Sequence, residues 1–215
     1  MQQQPMIRHA SKADARQLAK IYYKAYRLTE SWSTIFPIVD MHKYLESQTN
    51  LCLQYFGSTN NLVLIVEDAK GEIVGGLFGR VLTEVKPDLA KPAPLVGKNE
   101  AVVAPMDSTD FIEGLVRLTH TSAFGQSPDI HHFAVLPDKQ GAGFGKALMD
   151  HVVSQARRSE NNIALAGTEE AVGFYKRFGF VEVTPAETLD GVKLTNRMLL
   201  ELFPGPSGRA IERAL

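Results

Sequence analysis

Three observations predict an α/β fold with a mixed central sheet for this sequence. From Asp129 onward, strand-length apolar runs alternate with helical periodicity: strand, glycine-rich turn, helix, strand, helix, strand. Earlier, Asn61 to Glu67 and Glu72 to Val81 flank Asp-Ala-Lys-Gly, a hairpin signature that adds antiparallel pairing to the sheet. Hydrophobic residues make up 44% and charged residues 22% of 215 residues, a balance that supports one large core without disulfides.

The elements follow in order. The opening PMIRHA reads as a short strand. Ser11 then reads as a helix cap with Asp14 three residues on, and Leu18, Ile21, Tyr22 and Ala25 fall at helical spacing. Trp32 to Phe56 is mainly helical but is interrupted by Pro37 and resists division. Gly75 and Gly76, inside the second hairpin strand, signal a bulge or a close backbone approach. Residues 82–106 hold Pro87, Pro92, Pro94 and Pro105 without a period, and form a loop insertion. Ser108 opens a helix carrying Phe111, Ile112, Leu115 and Leu118. Ile130 to Leu136 is a strand. The helix from Gly145 to Ser159 lines up Leu148, Met149, Val152, Val153 and Ala156. Ile163 to Ala166 is a buried strand. Ala171, Phe174, Tyr175 and Phe178 share one face of a helix that Gly179 ends. Phe180 to Val183 and Lys193 to Glu201 close the sheet. Residues 1–203 are expected as one domain and 204–215 as a tail.

Bulk properties exclude several classes. A net charge of -1 gives no basic field for nucleic acid or an anionic membrane. No apolar run approaches the ~20 residues that span a bilayer. The start MQQQPMIRHA lacks the apolar stretch of a signal peptide, and Cys52 has no intramolecular partner, so a cytoplasmic location is expected.

The chemistry concentrates in Val135-Leu-Pro-Asp-Lys-Gln140-Gly141-Ala142-Gly143-Phe144-Gly145-Lys146. A strand ends, the chain turns, and a helix begins whose first amides have no internal partner and lie at the positive end of the dipole. Such a loop suits a phosphate or pyrophosphate, and Lys139 and Lys146 would add charge. A Walker A loop is excluded because Ala147 follows Gly145-Lys146. A dinucleotide fingerprint is excluded because its third glycine would fall on Lys146.

The pattern V-x-P-x-x-Q-x-x-G-x-G from Val135 to Gly145 resembles the acetyl-CoA signature of the GCN5-related N-acetyltransferase (GNAT) superfamily. Ala171-Val-Gly-Phe-Tyr-Lys-Arg-Phe-Gly-Phe180 resembles its later motif, and Ile7-Arg8-x-Ala10-x-x-x-Asp14 its usual start. The resemblance implies a sheet of about seven strands flanked by helices, with a splayed strand pair holding acetyl-CoA as co-substrate. It implies that the amides from Gln140 through Gly141, Ala142, Gly143, Phe144 and Gly145 to Lys146 bind the pyrophosphate. The backbone of Phe133 and Val135 would pair with the pantetheine arm like an added strand, and Ala134, Phe174 and Tyr175 would complete the coenzyme site. Thr168 stands where the family often has an asparagine; its hydroxyl can cap the following helix and contact the coenzyme.

The resemblance further implies direct acetyl transfer to a primary amine of a small molecule or peptide. Tyr175 matches the family's general acid, and the Phe133 amide is the candidate oxyanion donor. Histone-acetylating members carry a glutamate where Asp129 stands, and aralkylamine-acetylating members a histidine where His131 stands, so both are candidate bases. Strand alternation puts Asp129 and His131 on one face and His132 on the other, an arrangement unsuited to chelating a metal. No metal is expected. His9, His42, His120 and His151 read as structural or surface residues. The competing reading is a non-catalytic acyl-CoA-binding or regulatory module. Either a monomer or a homodimer is compatible with the sequence.

Overall fold

The computed structural model describes residues 5–35, 41–56, 61–80, 129–183, 187–189 and 192–203. The expected insertion at 82–106, the helix after Ser108, His120 and the tail at 204–215 lie outside the described residues.

The chain begins with β1 (Met6–His9), a 3-10 turn (Lys12–Asp14) and α1 (Ala15–Tyr26). The Ser11 cap is held from the other side. The Asp14 carboxylate accepts the Ser11 main-chain N–H at 2.7 Å and its hydroxyl at 2.9 Å. The undivided region contains α2 (Glu30–Ile35) and α3 (Met41–Tyr55). The hairpin is β2 (Asn61–Glu67) and β3 (Ile73–Arg80). Then come β4 (Asp129–Val135), α4 (Phe144–Arg158), β5 (Ile163–Gly167) and α5 (Glu169–Lys176). β6 (Val181–Glu182), β7 (Glu187–Leu189) and β8 (Val192–Leu200) close the chain. β7 was not expected from the sequence.

Seven strands run in the order β1-β2-β3-β4-β5-β8-β6, and β7 pairs with β8 outside that path. Every neighbouring pair is antiparallel except β4 and β5, so the sheet is mixed as expected. The run NLVLIVE is apolar throughout because both faces of β2 are covered. Leu62, Leu64 and Val66 belong to one core cluster with α4 and α5, while Val63 and Ile65 belong to another with α1 and α3. The α4 stripe behaves as its period requires: Leu148, Met149, Val152, Val153 and Ala156 are all buried. Full burial of a side chain such as Leu148 contributes roughly 1.5–3 kcal/mol.

Two glycines of β3 determine how closely its neighbours approach. A Cβ on Gly76 would sit 2.2 Å from the Leu18 side chain, so α1 lies directly on the strand. A Cβ on Gly79 would sit 2.2 Å from the Asp129 carbonyl oxygen, where β4 departs from regular register.

Candidate active site

The strand-to-helix loop is the first component. After β4 a 3-10 turn (Pro137–Lys139) turns the chain back. The Gln140 amide donates to the Val135 carbonyl at 3.2 Å, and Lys139 Nζ lies 2.9 Å from Asp68 Oδ2 in the β2–β3 turn. Gln140 and Lys139 therefore brace the loop with their side chains. Lys139 and Lys146, expected to add positive charge nearby, are both in ion pairs: Lys139 with Asp68, and Lys146 with Asp150 at 2.6 Å one turn along α4. What remains for an anion is the main chain. Gly141 and Gly143 adopt left-handed φ values of 77° and 93°, which explains glycine at both positions. Nothing lies within 4 Å of where their Cβ atoms would be, so that space is open to a ligand. The amides of Gly141, Ala142, Gly143, Phe144, Gly145 and Lys146 have no acceptor among the described residues. The first amide bonded within this stretch is that of Ala147, to Gly143 at 2.9 Å. A run of open amides at a helix N-terminus is suited to an anion.

The slot beside it is the second component. β4 and β5 pair only at Asp129 with Ala164 and Ile130 with Leu165, then diverge. This is the splayed pair. Beyond the divergence, the Phe133 N–H donates to the Tyr26 hydroxyl at 3.1 Å, and that hydroxyl lies 3.4 Å from the Phe133 carbonyl oxygen. The Phe133 ring lies 5.5 Å from Phe174 and 6.2 Å from Tyr175, centroid to centroid. A Cβ on Gly145 would be 3.6 Å from the Phe174 ring and 3.7 Å from Val135 Cγ2. The anion loop and the slot are thus continuous through Phe174. Ala134 is buried on the α1 side of the sheet.

Tyr175 is 5% exposed. Its ring lies over Gly167, where a Cβ would come within 2.8 Å of it, so glycine at the end of β5 makes room for the phenol. The Tyr175 hydroxyl has no hydrogen-bond partner among the described residues. Burial, reinforced by Tyr26, pushes the phenol well above its ordinary range and keeps the proton in place. Thr168 is the N-cap residue of α5, but its hydroxyl makes no capping bond.

The third component lies on β4 before the splay. Phe78 pairs with His132 and Gly79 with Ile130, leaving His131 as the extra residue of a bulge. The bulge cancels one step of alternation. His131 meets Tyr55 of α3, while His132 packs on Tyr22 and Tyr26 of α1 and on Phe78. Both histidines therefore face the α1/α3 layer, which corrects the expectation that His132 points to the opposite side. Asp129 and His131 do meet: His131 Nε2 is 2.8 Å from Asp129 Oδ2, and Arg80 holds the same carboxylate at 2.9 and 3.1 Å. The Tyr55 hydroxyl stands at His131 Nδ1. Burial lowers the affinity of His131 for a proton and outweighs the pull of Asp129, so the ring is neutral near pH 7. Burial opposes ionisation of Asp129, but His131 and Arg80 overcome it and hold the carboxyl at about 2. Arg80 is a permanent cation, so Asp129 remains ionised beside a neutral imidazole.

Sequence reasoning missed Tyr26 and Tyr55, which touch the candidate residues from α1 and α3. Among the described residues, no group of three or more His, Cys, Asp or Glu side chains is placed to hold a metal ion. No described helix is long and apolar enough to cross a membrane.

Comparison with known proteins bears on the family and the fold. Residues 93–202, just over half of the chain, match the model of the acetyltransferase (GNAT) domain. An uncharacterized N-acetyltransferase, ycf52, of Porphyra purpurea is 28% identical over 140 residues, which are 65% of this chain and 74% of that protein. A Corynebacterium glutamicum structure described as histone acetyltransferase HPA2 and related acetyltransferase superposes with a TM-score of 0.62 at 20% identity, covering 95% of this chain and 99% of that one. The Vibrio cholerae spermidine N-acetyltransferase in complex with CoA and spermine superposes with a TM-score of 0.54 at 17% identity, covering 92% and 95%. The Escherichia coli ribosomal-protein-S18-alanine N-acetyltransferase does so with a TM-score of 0.54 at 15% identity, covering 94% and 97%.

Proposed function

Because the chain belongs to the GNAT acetyltransferase family, we propose that it transfers an acetyl group directly from acetyl-CoA to a primary amine of a small molecule or peptide. The observation that carries this reading is the run of open amides from Gly141 to Lys146, continuous through Phe174 with a slot where β4 and β5 part. An anion site opening into a narrow slot fits a ligand with a pyrophosphate at one end and an extended arm. The acceptors named for the similar structures, spermidine and the alanine of a ribosomal protein, are amines of both proposed kinds.

In this reading the loop amides hold the pyrophosphate, and Phe133 and the Val135 N–H, on the strand edge that β5 leaves, offer their main chain to the pantetheine arm, while Ala134 between them pairs with Gly76 of β3. Acetyl-CoA, as substrate, brings an activated thioester whose sulfur leaves as a thiolate. The Phe133 N–H, fixed on a strand, stabilises negative charge on the thioester oxygen. Tyr175, protonated and without a partner, donates to the leaving sulfur. The acceptor ammonium must lose a proton. His131, oriented by Asp129, is the neutral imidazole available to take it, by way of the Tyr55 hydroxyl that stands at Nδ1. Thr168, its hydroxyl unused in capping, contacts the coenzyme in this reading from the start of α5.

The test is titration calorimetry with acetyl-CoA, followed by free-thiol release on adding a panel of polyamines, arylalkylamines and peptide N-termini. Saturable binding with amine-dependent thiol release is expected. Binding without release by any amine would identify a non-catalytic acyl-CoA module, and absence of binding would overturn the reading.

A further inference from the structure

Tyr26 meets both main-chain hydrogen-bonding groups of Phe133, the residue that the function proposed above assigns to coenzyme and thioester. Its hydroxyl accepts from the Phe133 N–H at 3.1 Å and lies 3.4 Å from the Phe133 carbonyl oxygen. The contact is made just past the last β4–β5 pair, where the strand edge is otherwise open. The side chain is held there by packing. It stacks on Tyr22 with ring planes 11° apart at 6.0 Å, and it lies 5.7 Å from His132. Gly76 allows α1 to sit close enough to the sheet for this reach.

Tyr26 is also the last residue of α1, and its main chain is tied to the next turn. Its carbonyl accepts the Thr29 N–H and the Thr29 hydroxyl, both at 2.8 Å. The Trp32 N–H donates to that same Thr29 hydroxyl at 3.2 Å. The Glu30 N–H donates to Glu170 of α5 at 3.0 Å. Movement of Tyr26 is therefore linked to the α1–α2 turn and, through it, to the first turn of the helix that carries Tyr175.

We propose that Tyr26 is a placeholder for the pantetheine arm, released when acetyl-CoA enters the slot. The inference rests on the coenzyme reading given above. One phenol cannot share the Phe133 N–H with a pantetheine carbonyl or a thioester oxygen, so coenzyme and Tyr26 compete. Until Tyr26 leaves, the amide that would stabilise the thioester oxygen is occupied. The residue costs coenzyme affinity and keeps the strand edge satisfied when the slot is empty.

The test compares the parent chain with Tyr26→Phe. The variant keeps the ring and its stacking but loses the hydroxyl. Removing a competing hydrogen bond is expected to tighten acetyl-CoA binding by about 2- to 10-fold, read by calorimetry. Hydrogen exchange supplies a readout independent of affinity: the Phe133 amide should exchange faster in the free variant than in the free parent, and equally in both when coenzyme is bound. Equal or weaker binding by a folded variant, with unchanged Phe133 exchange, overturns the placeholder and leaves the coenzyme reading standing. Failure of the parent to bind acetyl-CoA overturns both. If Tyr26→Phe does not fold, Tyr26→Trp, which keeps a large apolar ring but cannot reproduce the hydroxyl bridge, carries the same exchange comparison.

Discussion

Tyr175 and His131 are both buried against aromatic rings, yet burial prepares them for opposite tasks. Burial raises the Tyr175 phenol and lowers the His131 imidazole, so near pH 7 one holds its proton and the other lacks one. An acid and a base are thus separated by environment. Replacing Tyr175 by Phe retains the ring over Gly167 and removes the proton. Turnover should fall about 10²-fold or more with little change in coenzyme affinity. Steady-state kinetics beside calorimetry checks this, and equal turnover would make Tyr175 a packing residue. His131→Ala should lower kcat/KM most near neutral pH, with partial recovery as alkali deprotonates the acceptor. Because the His131 proton affinity is lowered, the parent's acidic limb should lie below the ordinary histidine range. A pH–rate profile that keeps this limb in the variant would assign it elsewhere. His132→Ala should lack that recovery. The reason is its packing on Tyr22, Tyr26 and Phe78, since it shares the α1/α3 face with His131.

At the scale of elements, the glycine loop was legible and the bulge was not. The loop announces itself because its requirement is local: glycines at left-handed positions and a helix beginning immediately after them. Gly143→Glu would force a side chain into a left-handed backbone and place a carboxylate in the anion site. It should abolish acetyl-CoA binding while the far-ultraviolet spectrum stays that of the parent; retained affinity would move the pyrophosphate elsewhere. The bulge at His131 depends on a strand distant in sequence. Gly79 allows the Asp129 carbonyl to approach where a Cβ would stand 2.2 Å away. No periodicity inside Asp129–Val135 signals that approach, so strict alternation gave the wrong face for His132. Gly79→Ala must therefore push the two strands apart. Overpacking of this kind costs roughly 1–3 kcal/mol, or a Tm loss of about 2–4 °C per kcal/mol, measured by thermal unfolding. An unchanged Tm would mean that β3 yields without strain.

For the whole molecule, the layered α/β plan was readable because β2, α4 and α5 each bury complete faces, and their periods survive in the sequence. β7 escaped notice because a three-residue strand has no period of its own. Tyr26 and Tyr55 escaped because each acts on β4 from a helix, through contacts separated by 107 and 76 residues. The short Trp32–Phe56 region resisted division for a related reason. α3 buries Tyr44, Gln48, Cys52 and Tyr55, a stripe with polar members that a purely apolar template misses.

The same long-range ties determine how the molecule should respond to acid. Asp14 is held at about 2 chiefly by its hydrogen bond from Arg8, which also reaches Glu67 and so ties β1, α1 and β2 together. Asp129 is held at about 2 against the cost of its burial, by His131 and Arg80, and ties β4 to β3. An unfolded aspartate titrates near ~3.9, so between these values the unfolded chain binds more protons. The stability contributed by each is therefore full above about pH 5 and is lost as pH falls toward 2. His131 titrates below its ordinary value of about 6.5 when folded. Its neutral burial therefore favours the folded state above that pH and loses ground below it. Urea unfolding should accordingly show a first decline in stability below about pH 6.5 and a second between about pH 4 and pH 2. Asp14→Asn removes one carboxylate of the second stage but leaves the pair at Asp129. The stability gap between parent and variant should be widest above pH 5 and close as pH approaches 2. A gap that stays constant down to pH 2 would show that the Asn side chain disturbs packing around Ser11, and that the charge of Asp14 is not what holds the first strand to the first helix.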